Sequence, residues 1–300
     1  MIKNITFGDF FESKGKIYRI FTNYHPKGNL LGQYQYKIKK NKILKKQDYF
    51  VDSVKSIPLN KVDRYYESTR CEGKNEPYDY ICKKFRSIGI KSYGITGSYL
   101  LRCYGFKIGH EKSDLDIVIK GKKESKLLMR KINSLYDKRF ENYSDNGRLL
   151  FKRRTKISKI KTDLRTMKFF ESKKSLGLID GRHVNITPSY KMNNKVMSCI
   201  YDKNYLNKGY VKLKVRIKGI DHSDSVPGYY EVETNSKDYD IRFLRTNIYY
   251  FSIGNRNLLG KQFNIRALLF HNPFVKNKKY QSILEMDSRC NIFKFRMILL

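Results

Sequence analysis

The segment from Gly97-Ser98 to Ser113-Asp114-Leu115-Asp116-Ile117-Val118-Ile119 constrains this chain more than any other. Tyr93-Gly94-Ile95-Thr96 reads as a short extended run that Gly97-Ser98 ends, and Tyr99 to Tyr104 holds no breaker and opens a helix. Ser98 then lies at a helix N-terminus, where free backbone N–H groups and the helix dipole favour a phosphate. Gly97 lets the backbone approach that phosphate with no Cβ in the way. Downstream, Ile117-Val118-Ile119, bounded by Lys120-Gly121, reads as a buried strand with Asp114 and Asp116 at its head. Carboxylates at i and i+2 of a strand share a face. Held side by side they repel, and both ionise comfortably when a cation sits between them. Hard cations such as Mg²⁺ prefer carboxylate oxygens and bring substrate phosphates with them. Taken alone, Gly-Ser is an ordinary helix cap and Asp-x-Asp an ordinary strand end. In the order turn, helix, Asp-x-Asp strand, they point to metal-assisted phosphoryl or nucleotidyl transfer.

This run resembles the signature of the polymerase-beta-like nucleotidyltransferase superfamily. The resemblance implies that Gly97, Ser98 and Ser113 hold a nucleoside triphosphate (NTP) and that Asp114 and Asp116 bind two Mg²⁺ ions, which Mn²⁺ can replace. A closer likeness is to a family of predicted archaeal nucleotidyltransferases of unknown substrate. It rests on Asp9-Phe10-Phe11, Gly15-Lys16-Ile17-Tyr18 and Tyr24-His25-Pro26-Lys27-Gly28 before the motif, and on Gly177-Leu178-Ile179-Asp180-Gly181 after it. Two departures stand out. The gap from Ser98 to Asp114 is longer than usual, with Gly105 to His110 reading as an inserted turn. The superfamily also uses a third carboxylate on a later strand, yet the corresponding His183-Val184-Asn185-Ile186-Thr187 holds no acid. Asn185 would offer a neutral oxygen, a weaker ligand for a two-ion arrangement. Asp180 is the candidate third catalytic carboxylate, with plain Asp-Gly turn chemistry as its other reading; Asp163 and Glu171 are remoter options.

The charge balance speaks to the partner. Sixty-three Lys and Arg against 28 Asp and Glu leave a formal +35, which implies a large polyanion, nucleic acid, with RNA the expected kind. An AT-rich coding habit accounts for many lysines, but less readily for the shortage of acids. The basic run Phe151 to Lys161, with Lys152, Arg153, Arg154 and Lys156, suits either a solvated face or contact with a nucleic-acid backbone. Lys212, Lys214 and Arg216 alternate with Val211, Leu213, Val215 and Ile217, as on a half-buried strand whose basic outer face, with exposed tyrosines, suits contact with single-stranded nucleic acid; tyrosines that simply fill the barrel core are the other reading. Five scattered cysteines and five scattered histidines form no disulfide framework and no zinc spacing. With no apolar run of membrane-spanning length and no signal h-region, no membrane partner and a cytoplasmic location are expected.

The expected fold class is α+β: a central polymerase-beta-like nucleotidyltransferase domain, a mixed sheet with helices, flanked by β-rich modules. The boundaries are a small β module over 1–60, the nucleotidyltransferase domain over 61–205, an OB- or SH3-like β module over 206–272 and a tail over 273–300, of which Tyr280 to Leu300 reads as a helix that docks or frays. The expected function is metal-dependent transfer of a nucleoside monophosphate from an NTP to a hydroxyl on RNA. The alternative is a nucleic-acid-binding protein that keeps this fold without catalysis.

Overall fold

The computed structural model describes residues 5–20, 22–23, 25–39, 42–46, 54–69, 76–108, 114–142, 176–190, 205–222, 228–246, 258–274, 276, 281–286 and 292–293. Seventeen strands in three sheets and three α-helices occupy these residues. The chain forms two units, 1–141 with 175–192 and 142–174 with 193–300. The α+β expectation, with its helix-bearing polymerase-beta-like centre, is therefore corrected to a mostly β architecture. The reason is visible in the side chains: aromatic and β-branched residues at two-residue spacing run through both ends of the chain, whereas helical spacing is confined to short stretches in the middle.

The first sheet of unit 1 holds β1 (Phe10–Ser13), β2 (Lys16–Ile20), β3 (Asn29–Lys39), β4 (Lys42–Lys46), β5 (Val54–Pro58) and β6 (Arg64–Tyr66). Its order is β4-β3-β2-β1-β6, with β5 also pairing β3, and all its pairs are antiparallel. β6 lies in a polar stretch, Lys61 to Pro77, whose composition reads as a connector; it pairs with β1, and Tyr66 is buried there.

The second sheet carries the Asp-x-Asp motif. Along the chain come α1 (Glu76–Ser87), β7 (Tyr93–Thr96), α2 (Gly97–Cys103), β8 (Leu115–Lys120), α3 (Lys122–Lys131), β9 (Phe140–Asn142), β10 (Leu176–Ile179) and β11 (Arg182–Ser189). Strand order is β7-β8-β11-β10-β9, with β8 antiparallel to β7 and parallel to β11. α1 buries Tyr78, Ile81, Cys82 and Phe85, a three- and four-residue spacing that makes one apolar face. That face joins Leu115, Ile117 and Ile119 of β8 in a core that also takes in Phe10, Ile17 and Tyr36 of the first sheet. On the other face of β8 Val118 is also fully buried. A strand covered on both sides reads as a continuous apolar run, as this one does.

Unit 2 holds β12 (Leu206–His222), β13 (Gly228–Thr234), β14 (Ile241–Thr246), β15 (Gln262–His271), β16 (Ser282–Met286) and β17 (Ile292–Phe293). The order is β12-β13-β14-β16-β15-β17, and β12 also pairs with β15, so five strands close into a barrel. Closure removes the exposed edges an open sheet would leave. Tyr229, Tyr230, Val215, Ile217 and Leu284 are all buried in this unit, the two tyrosines on opposite faces of β13. Ser282–Met286, within the tail expected as a helix, is instead the strand that lies between β14 and β15. The apolar run Ile248-Tyr249-Tyr250-Phe251-Ser252-Ile253, whose sequence reads as a strand, lies outside the described residues.

Candidate active site

Three backbone segments meet where β7 ends and β8 and β11 begin. Thr96 of β7 stands opposite Asp116 of β8, and Asn185 of β11 stands opposite Asp116 on the other side. Gly97 follows Thr96 with a φ of 68°, a left-handed conformation that a side chain strains. A Cβ built on Gly97 would lie 3.1 Å from both Cβ and Cγ of Asp116, and closer still to its carboxylate. Glycine is thus needed at 97 to admit the Asp116 side chain against the turn. That is a different reason from the approach of a phosphate.

Asp116 is half-buried, and its Oδ1 accepts a hydrogen bond from Asn185 Nδ2 at 2.7 Å. Asp114, two residues earlier, falls on the same side by the alternation of the strand and is also half-buried. Ser98 opens α2. The Thr96 hydroxyl donates to the Gly8 carbonyl and does not cap that helix, so the first-turn N–H groups of α2 receive no bond from it. Ser113, and Glu111 beside it, lie outside the described residues.

Asp180 is bonded to Arg139. It is exposed in the turn between β10 and β11, where its own φ is 49° and Gly181 follows. Its carboxylate takes two bonds from Arg139, 3.3 Å from Nε to Oδ1 and 2.8 Å from Nη2 to Oδ2, and Arg139 also pairs with Glu76. The guanidinium holds Asp180 below the ordinary carboxylate range. Such a two-point clamp suits the joining of α1 to the β10–β11 turn. Asp163, Glu171, Lys152, Arg153, Arg154 and Lys156 lie outside the described residues. Lys212, Lys214 and Arg216 are exposed on β12 in unit 2.

The donor set suits one hard cation more readily than two. Two carboxylates on one side of a strand are ordinary Mg²⁺ ligands. A second ion needs a further anionic ligand, but the position opposite Asp116 carries an amide whose N–H already occupies one carboxylate oxygen. Among the described residues no three His, Cys, Asp or Glu side chains are grouped to hold a metal.

Two residues near this end of the sheet were not singled out by sequence reasoning. Arg182, the first residue of β11, donates from Nη1 to the Tyr99 hydroxyl at 2.7 Å, and the Arg102 guanidinium lies 4.9 Å from the Tyr99 ring centroid. Their separation in sequence hid this pairing of cations around one tyrosine. Immediately before β1 of the first sheet, Asp9 is fully buried and accepts bonds from the Tyr65 hydroxyl at 2.5 Å, the Ser68 N–H at 2.7 Å and the Thr6 N–H at 2.9 Å. Burial pushes its carboxyl above the ordinary range, against these hydrogen bonds, which act to lower it. Asp9 thereby ties the N-terminal segment to the end of β6.

No family model matches the chain, and no solved structure matches it. An uncharacterized protein of Methanocaldococcus jannaschii is 27% identical over 158 residues, 52% of this chain and 44% of that protein. The chain therefore matches less than half the length of that relative. No helix among the described residues is long and apolar enough to cross a membrane.

Proposed function

We propose that the chain is a metal-dependent nucleotidyltransferase that moves a nucleoside monophosphate from an NTP to a hydroxyl group on RNA. The observation that carries this reading is the packing of the Gly97 turn against Asp116, with Asp114 on the same side of the strand. A phosphate-binding turn and a cation-binding pair that touch each other are what transfer from a triphosphate requires. Asp114 and Asp116 would hold Mg²⁺, or Mn²⁺ in its place; the ion supplies charge neutralisation at the phosphates and lowers the pKa of the attacking hydroxyl. The chain itself orients. Gly97 and Ser98 receive the triphosphate at the opening of α2, and Asn185 fixes the rotamer of Asp116 through its 2.7 Å bond. Arg182, held by Tyr99, brings positive charge to the same end of the sheet. The charge of +35 supports a nucleic-acid acceptor. The resemblance of the motif, not the overall architecture, links this reading to the polymerase-beta-like superfamily. A cytoplasmic setting, where NTPs and Mg²⁺ are at hand, goes with it.

Asn185 favours a second reading, a nucleic-acid-binding protein that no longer catalyses transfer, because a neutral amide stands opposite Asp116 where a third acid would serve. Mn²⁺ binding followed by electron paramagnetic resonance separates the two. The first reading expects saturable binding by the wild type that Asp114→Ala/Asp116→Ala removes. Equal, weak binding by both proteins contradicts it and favours the second. Asn185→Asp is expected to bind one Mn²⁺ more than the wild type.

A further inference from the structure

The barrel of unit 2 does not distribute its charge evenly. Along β12, Lys212, Lys214, Arg216 and Lys218 are all exposed, and Val215 and Ile217 between them are buried. The neighbour on one side continues the pattern: Lys212 stands opposite Arg266, Lys214 opposite Asn264 and Arg216 opposite Gln262, and this part of β15 carries no acid. The neighbour on the other side, β13, carries the acids. Glu233 lies opposite Arg216 and within 3.7 Å of Lys218, and Glu231 stands opposite Gly219. The outer wall therefore has a basic strip on β12 and β15 bordered by an acidic margin on β13. Successive cations on one strand face are about 6.8 Å apart, a spacing close to the phosphate repeat of an extended single strand.

Aromatic rings lie at one end of the strip. The Tyr210 ring has the Arg266 guanidinium 4.3 Å from its centroid. Beyond it Leu206, 55% exposed, pairs with His271, the last residue of β15. There the chain enters a turn in which the Phe274 N–H donates to Asn272 Oδ1 at 3.0 Å, and Phe274 is left 85% exposed. A phenylalanine held almost entirely in water by a local turn is costly unless a flat apolar partner covers it.

We infer that this strip is a binding site for single-stranded nucleic acid, with phosphates along Lys212, Lys214 and Arg216 and a base stacked on Phe274. A row of cations alone would suit any polyanion. The exposed ring at its end selects a strand whose bases are unpaired, because duplex bases present no free face. The site is independent of the chemistry at Asp114 and Asp116, and either assignment can fail without the other.

The test measures binding of the full chain to a labelled RNA strand of about 16 nucleotides across a salt series. Lys212→Ala/Lys214→Ala/Arg216→Ala is expected to bind at least about tenfold more weakly, with a log–log salt slope shallower by about 2, from about 0.7 per lost phosphate contact. Phe274→Ala is expected to lose about tenfold in affinity with the slope unchanged, since stacking releases no counterions. Both positions are on the surface, so the unfolding temperature should stay put. The wild type should hold RNA or DNA single strands more tightly than duplex. Unchanged affinity and slope in the triple variant would overturn the assignment. So would tighter wild-type binding to phosphatidylserine–phosphatidylcholine vesicles, or to duplex, than to the single strand.

Discussion

The head of β8 in unit 1, Asp114 and Asp116, and β12 in unit 2 both carry charge at every second residue, yet they use it in opposite ways. At the head of β8 the charge is negative and confined. Asp116 lies between the Gly97 turn and Asn185, and the rest of the strand is covered on both faces. On β12 it is positive and open, with four cations standing on one exposed face above a buried apolar one. Confinement fixes the geometry of a side chain and suits chemistry, which is lost when a group shifts by an ångström. Long stems in water tolerate displacement and suit attraction to a repeated charge. The lesson is that confinement of the charged face itself, not charge alone, separates a candidate site for reaction from a candidate site for binding.

The sharpest way to break the comparison is Asp116→Ala. It should lower nucleotidyl transfer by about 10³-fold or more, by analogy with removal of a preorganised electrostatic group, and leave RNA affinity unchanged. Asp9→Ala comes next. It strands three donors in a buried position and should cost unit 1 about 3 kcal/mol in denaturant unfolding. Gly97→Ala forces a Cβ into Asp116 at a left-handed φ and should cut kcat by about 100-fold. The same substitution at Gly28, which is also left-handed but has open space around its missing Cβ, should cost only about 1–2 kcal/mol of stability.

A further expected effect follows pH. Burial lowers His25 from 6.5 to about 4, and its Nδ1 accepts the Leu31 N–H at 3.0 Å. The unfolded chain therefore binds a proton between pH 6.5 and about 4 that the folded chain refuses. Stability should be fully present above 6.5 and fall as pH drops through that window, by about 2 kcal/mol after allowance for partial exposure. His25→Gln should flatten this part of the stability–pH profile, measured by denaturant unfolding at each pH.

Much of the local structure was legible because its signals are local. The Gly97 turn, the helix after it, the Ile117-Val118-Ile119 strand and the alternation of Val211 to Ile217 each declare themselves within a few residues. The overall class was not, because it depends on which strands find each other. Arg64–Tyr66 lies in a polar stretch and becomes a strand only by pairing with β1. Ser282–Met286 is short, and its role as the parallel partner of β14 has no signature in its own residues. Within the candidate site, Asp114, Asp116 and Gly97 are marked by spacing, and Asn185 by its place on a later strand. The pairing of Arg182 with Tyr99, 83 residues apart, and the capture of Asp180 by Arg139 could not be read from spacing.

The central claim is that Asp114 and Asp116 direct nucleotidyl transfer, and the most direct test follows label from each NTP, radioactive at its α-phosphate, into RNA in the presence of Mg²⁺. The account predicts that the wild type transfers label and that Asp116→Ala does not, although both proteins retain the RNA. Transfer of label at equal rates by the two proteins, or by neither, would contradict it.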